Sequence, residues 1–279
     1  MGDAGSGSTL IRQRLWPVHV ILAVGAAAMV TPFLWQLITS LQSTSESTSV
    51  PPHFLPSWKW GNYSQVFHDT PFADQFWNSV VQTVVRVLAQ VLFCSMAAYA
   101  FARLKFPGRN ALFLLMLAVL MVPSQVYLLP QYQLVQNLGL LNTLSGVVLP
   151  GLFSAFGTFM LRQFFLSLPN EVEEAARLDG AGTFRIFWSV MLPLAKPGLI
   201  SMGVLTVLWS WNDLLWPLVV VNNDTKMPLT VGLATLQGEH LTEYPLLMAG
   251  SLLASLPMIL LFLAAQRRIT EGIALTGTK

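Results

Sequence analysis

The sequence predicts an all-α integral membrane protein with six transmembrane helices and a polar helical hairpin at residues 167–197 on one side of the membrane. Three observations carry this reading. Composition is 54% hydrophobic and only 10% charged, whereas soluble domains carry about 25% charged residues. Leu15–Ser45 and Asn110–Leu161 contain no Asp, Glu, Lys or Arg, and the second run exceeds one span of about 20 residues, so it holds two. The basic residues fall on alternate sides of the proposed spans. One side collects Arg12, Arg14, Arg103, Lys105, Arg109, Arg162, Arg177, Arg185, Lys196, Arg267, Arg268 and Lys279. The other has Lys59 and Lys226. That bias places both termini and the hairpin in the cytoplasm.

The elements follow in order. Residues 1–16 form a cytoplasmic tail whose Gly/Ser-rich start, Met1–Ser8, reads as disordered. The first helix is 17–41. Its apolar run is longer than a signal-peptide core and ends in a polar loop, so no cleaved leader is expected. The loop 42–75 is external, and Pro51, Pro52, Pro56 and Pro71 forbid a long helix there. A five-helix core, 76–266, follows. Its spans are Phe76–Phe101, Ala111–Leu129, Thr143–Phe165, Leu199–Val221 and Leu246–Gln266, with the hairpin between the fourth and fifth spans of the chain. Residues 267–279 form a cytoplasmic tail. Ala97–Ala98 and Gly151–Phe156–Gly157 suit close helix packing.

Several function classes drop out. A net charge of +2 is too small to suggest nucleic acid. His19, His53, His68 and His240 are too scattered for a metal site. Cys94 is the only cysteine, so no internal disulfide is expected. None of the five lysines follows a glycine, so the chain lacks a phosphate-cradling loop and any ATP chemistry belongs to another subunit. No catalytic constellation lies within the spans.

Two charges do lie within them. Arg86 is about 15 Å into the second span and Asp213 about 12 Å into the fifth, measured from the same face at 1.5 Å per residue. A charge in the bilayer faces a partner or a cavity. The matched depths suggest an ion pair, with Gln82 or Gln90 nearby, or an Arg86 that lines the path and meets an anionic solute. Pro217, four residues after Asp213, leaves the Asp213 carbonyl without its helical donor. An opened helix is tolerated where it lines water. That puts Trp211, Asn212, Asp213 and Trp216 beside a translocation path, where aromatic faces suit sugar rings. For Trp216, a place in the aromatic belt at the membrane interface is an equal alternative.

The hairpin is the densest motif. Asn170 can cap its first helix, with Glu173 completing a capping box. Gly180 can supply the left-handed residue that ends the helix. Thr183 can cap the second helix, which Pro193 and Pro197 stop or kink. Small residues, Ala175, Ala176, Gly180, Ala181 and Gly182, strip the elbow of bulk, so another protein can approach its backbone.

Glu174-Ala175-Ala176, Asp179-Gly180-Ala181 and Pro193-Leu194-Ala195-Lys196-Pro197 together resemble the EAA loop of binding-protein-dependent ABC importer permeases. Ala98–Arg103 with Phe106-Pro107-Gly108, Trp211-Asn212-Asp213 with Trp216-Pro217, and Gln266-Arg267-Arg268 resemble the carbohydrate-uptake branch, in its maltose-type second permease subunit. The ending Thr276-Gly277-Thr278-Lys279 departs from that branch's Gly-Ala-Val-Lys-Gly. The resemblance implies a prokaryotic cytoplasmic-membrane subunit that imports a sugar or sugar-like solute by alternating access. Its implied partners are a homologous second permease, two ABC ATPases that bind ATP and magnesium, and an external substrate-binding protein. Glu174, Ala175, Ala176, Asp179, Gly180 and Ala181 would couple to the ATPase. Gln237, Gly238 and Glu239, in the outer loop Asn222–Tyr244, are candidates for touching the binding protein, with a merely solvated connector as the equal alternative. A glycerophosphodiester or sugar-phosphate importer of the same architecture is the second reading, and a self-sufficient ion-coupled transporter using Arg86 and Asp213 the third.

Overall fold

The computed structural model describes residues 6–237 and 242–277, with side chains at 16–237, 242–264 and 266. Every regular element among the described residues is helical. The chain divides into two compact units: residues 1–70 with 236–253, and residues 71–235 with 254–279.

In the first unit, α1 (Ser6–Ser40) is apolar over Trp16–Ser40, and no part of its most apolar stretch is buried. A helix apolar all round with nothing packed on it needs lipid or a partner around it. The polar segment after it is held by hydrogen bonds as well as by packing of Phe54 against Trp35. α2 (Thr44–Ser47) starts in a capping box: the Glu46 amide donates to Ser43 Oγ, and the Ser43 amide to Glu46 Oε2. Ser57 Oγ donates to the same carboxylate oxygen at 2.8 Å. α3 (Gly61–Asp69) follows, with Asn62 and Tyr63 in its first turn. Asn62 is buried and donates to the carbonyls of Ser40 and Gln42, which ties α3 to the end of α1.

The second unit is built on α4 (Phe72–Arg103), a 32-residue helix with neither Gly nor Pro inside it. Its buried stripe is polar: Gln75, Ser79, Gln82, Thr83, Arg86 and Gln90, with Trp77, Val84 and Leu88 exposed on other faces. This inverts the soluble pattern, as a lipid-facing helix with a polar interior should. α5 (Arg109–Val119) does not continue into the next helix. Pro123 lacks an amide and pushes Val122 out of helical backbone. A 3₁₀ turn, Ser124–Tyr127, and α6 (Leu128–Asn137) then set off at 93° to α5. Where the sequence predicts one span at Ala111–Leu129, the structure has two helices that meet at a sharp bend.

α7 (Leu144–Val148) and α8 (Ala155–Ser167) are capped by the hydroxyls of Thr143 and Ser154. α9 (Asn170–Leu178) and α10 (Thr183–Ile186) form the hairpin. A π turn, Phe187–Met191, and α11 (Leu192–Leu194) lead to a 76° bend before α12 (Lys196–Trp211). Pro193 and Pro197 flank that bend. α13 (Leu215–Val220), α14 (Leu229–Thr235) and α15 (Tyr244–Gly277) complete the chain. Among the described residues four helices are long and apolar enough to cross a membrane, or up to six if each bent pair is one span. One apolar core joins α4, α8, the hairpin and α12 through Cys94, Tyr99, Leu161, Phe165, Met191 and Met202. Gly157 and Gly198 admit Met202 and Phe164 against their backbones.

The amide of Ser43, helped by the Ser57 hydroxyl, holds the Glu46 carboxyl at about 2, below its ordinary 4.5. A depressed folded value means that the box is complete above pH 4.5 and is lost as pH falls through about 2. Hydrogen exchange is expected to show the Ser43 amide still protected at about pH 3.5 in the native chain but not in Glu46→Ala, which has no acceptor.

Candidate functional site

The site begins with a broken helix. Pro217 has no amide for the Asp213 carbonyl, and α12 stops at Trp211, with α13 beginning at Leu215. The freed carbonyls find another donor: Thr230 Oγ1 lies 3.2 Å from the Asp213 oxygen and 3.3 Å from that of Trp211. The break turns the Asp213 carboxylate onto α4, where Arg86 Nη1 donates to Oδ2 at 2.8 Å. Arg86 is only 7% exposed. Its Nη2 donates to the Val147 carbonyl at the end of α7, at 2.7 Å. Gly151 makes room for the guanidinium, since a Cβ there would sit 2.4 Å from Nε.

Gln82 and Gln90 stand one turn either side of Arg86 without touching the pair. Gln82 donates to the Ser210 carbonyl; Gln90 donates to that of Gly151 and accepts from Thr206. They fasten α4 to α12 and to the turn after α7, and so fix the depth at which Arg86 meets Asp213.

A cavity of about 270 Å³ opens beside the pair. Arg86, Asp213 and Trp216 line it, together with Ser124, Tyr127 and Gln131. Trp216 is buried and its indole donates to the Gly146 carbonyl. Trp211 is buried elsewhere: it packs edge-on against Phe76 and donates to the Ala254 carbonyl. Asn212 is exposed and bonds back to the Leu208 carbonyl. Three of the five path candidates therefore meet at the cavity, and two do not line it. Ser124, Tyr127 and Gln131 escaped the sequence reading. The signal was Pro123, followed by polar residues in the middle of an uncharged run.

The hairpin differs from its sequence reading at both starts. Pro169, not Asn170, precedes α9, and no side chain caps it. Asn170 Oδ1 accepts from Arg103 instead. Glu173 does not reach back to the cap: it is buried at 6% exposure, accepting from Tyr99 and Arg177. Tertiary donors outcompete the local capping pattern. Thr183 is likewise the first residue of α10, and Gly182 is its uncapped predecessor. The elbow is as read. Gly180 has φ +80°, its amide donates to the Arg177 carbonyl, and that of Ala181 to Ala176, the paired bonds of a Schellman ending. Glu174, Ala175, Asp179 and Gly180 are exposed, with Ala176 and Ala181 half-buried. Leu178 and Phe184 flank the elbow at 89% and 68% exposure. In the outer loop Gln237 is exposed, whereas Gly238 and Glu239 lie outside the described residues.

Residues 90–273 match the family described as the inner membrane component of binding-protein-dependent transport systems. The chain belongs to that family. It is an inner-membrane, multi-pass permease component. It is 42% identical over 204 residues to an arabinooligosaccharide transport system permease of Halalkalibacterium halodurans, covering 73% of each chain. It is 35% identical over 260 residues to a diacetylchitobiose uptake system permease of Streptomyces coelicolor, covering 92% of this chain and 86% of the relative. Identity to an sn-glycerol-3-phosphate transport system permease of Yersinia enterocolitica is 31% over 264 residues, covering 91% and 94%. A solved bacterial ABC transporter involved in the import of the acidic polysaccharide alginate contains a chain that superposes with a TM-score of 0.79. That chain is 26% identical, with 95% of this chain and 99% of the other covered.

Removing one partner of a buried pair leaves the other uncompensated, at a cost of about 3 kcal/mol. Asp213→Asn and Arg86→Gln are each expected to lower unfolding stability in detergent by about that amount. The double variant is expected to cost clearly less than the sum, as measured by a double-mutant cycle.

Proposed function

We propose that this permease moves a neutral sugar or oligosaccharide through the Arg86–Asp213 cavity by alternating access. It crosses the cytoplasmic membrane six times, each bent pair counting as one span, with both termini in the cytoplasm. It pairs with one homologous permease and receives solute from an external binding protein. Two ABC ATPases bind ATP and magnesium and seat the α9–α10 elbow. There Glu174 pairs with a basic residue, the small residues Ala175, Ala176 and Ala181 permit close approach, and Asp179 and Gly180 hold the turn.

The observation that carries the solute class is the engagement of Arg86. The Asp213 carboxylate neutralises it and the Val147 carbonyl takes a second of its five N–H groups, while the buried Nε has no partner. A phosphate or uronate would meet a guanidinium whose charge a carboxylate 2.8 Å away already neutralises, and among the described residues no other Lys or Arg lines the cavity. What the walls offer instead is hydroxyls, an amide and aromatic rings from Ser124, Tyr127, Gln131 and Trp216. Those groups suit a neutral polyol ring. The names of the arabinooligosaccharide and diacetylchitobiose relatives agree with that chemistry. The glycerol-3-phosphate relative keeps the sugar-phosphate reading alive as its competitor. An ion-coupled transporter would need no ATPase, which the family membership argues against.

The test is ATP hydrolysis by the reconstituted assembly in the presence of its binding protein. Neutral oligosaccharides are expected to stimulate it and sugar phosphates to leave it near its basal rate; the reverse order overturns the solute assignment. Glu174→Lys is expected to reduce ATPase retention on the purified permease at least about tenfold, as loss of a charge-assisted contact predicts. Unchanged retention would sink the docking role.

A further inference from the structure

We infer that Glu173, Tyr99 and Arg103 form a positioning anchor that delivers movement of the α9–α10 hairpin to α4, and along α4 to the Arg86–Asp213 pair. This rests on the reading that the elbow seats the ATPase, and extends it inward.

The orientation of α9 is the first reason. Glu173 is its only buried residue, while its apolar Val172 and Leu178 are exposed. A helix fastened for stability alone would turn its apolar side chains inward, because a buried carboxylate carries a desolvation penalty that an apolar residue of similar volume avoids. Here the acid is inside, compensated from two directions. Tyr99 Oη of α4 donates to Oε1 at 3.2 Å, and Arg177 Nη2 of α9 to the same oxygen at 2.8 Å. Arg103 Nε of α4 lies 3.9 Å from Oε2, an ion pair without a hydrogen bond. Arg103 then crosses to the hairpin's root, donating to Asn170 Oδ1 and to the Phe165 and Leu168 carbonyls. These directional bonds add their own angular preference to the seating of α9 on α4.

The second reason is mechanical. The forward covalent route from the elbow to Asp213 is interrupted three times: by the π turn, by the 76° bend, and by the break at Asn212–Leu214. α4 has no interruption. Thirteen residues, about 20 Å of continuous helix, separate Tyr99 from Arg86. A push at the anchor therefore reaches the ion pair through the stiffer of the two paths.

The assembly of permease pair, ATPases and binding protein tests this. Tyr99→Phe removes only the hydroxyl and keeps the ring against Phe165 and Phe187; Glu173→Gln removes the charge. Three quantities are read: subunit amount in the membrane, ATPase retained, and solute taken up per ATP hydrolysed. The expected result is normal amount and retention, with uptake per ATP reduced about tenfold in each variant. The double variant is expected to fall no further, because the two groups act as one contact. Unchanged uptake per ATP, uptake falling only in step with subunit amount, or effects that multiply in the double variant would each overturn the anchor. An ATPase missing from the unmodified assembly would instead overturn the docking reading on which the anchor rests.

Discussion

A guanidinium at membrane depth is intolerable alone, and that constraint organises the second unit. Leaving Arg86 unpaired in a low-dielectric interior would cost several kcal/mol. The surrounding sequence supplies what it needs. Pro217 breaks a helix so that Asp213 can face α4, the end of α7 presents the Val147 carbonyl, and Gly151 omits the side chain that would collide with Nε. The glutamines a turn above and below hold α4 in register against α12 and the 150s turn. Because these partners belong to elements distant in sequence, the pair works as a keystone for the packing as well as a lining for the cavity.

The same prolines explain why polar backbone can exist at this depth. A helix opened in lipid would strand carbonyls with no donor. Opened beside a cavity and next to Thr230, the break at Asn212–Leu214 keeps its carbonyls satisfied while exposing a carboxylate. Pro123 does the equivalent for the α5–α6 pair and brings Ser124, Tyr127 and Gln131 to the same space. The two breaks meet at one cavity, where the α5–α6 break adds polar lining that carries no charge.

Most of the helices were legible in the sequence, because hydropathy measures the solvent each segment prefers. The Arg86–Asp213 pairing was legible too, because helical rise turns residue counts into depth. What escaped were outcomes decided by contacts between remote segments. Asn170 and Glu173 match a capping box residue for residue, yet Arg103 and Tyr99 claim them first. Trp211 and Trp216 lie five residues apart in one motif, but the break between them sends one into packing against Phe76 and the other to the cavity wall. No periodicity in Asn110–Leu161 shows a 93° turn; only Pro123 does, and a proline in a membrane helix is often merely a kink.

The middle and the C-terminal end of α4 present one problem solved twice. At the cavity a buried cation is neutralised by an acid from a broken helix; toward the hairpin a buried acid is neutralised by Arg177 of α9 and Arg103 of α4, with Tyr99 donating to it. In each case a directional polar contact stands where apolar packing would hold the parts together at lower desolvation cost. Apolar surfaces slide, whereas a short ion pair has one preferred geometry and resists displacement from it. A transporter that must move in defined steps needs stops of that kind, and a helix without Gly or Pro is the element best suited to keep two of them at a constant separation.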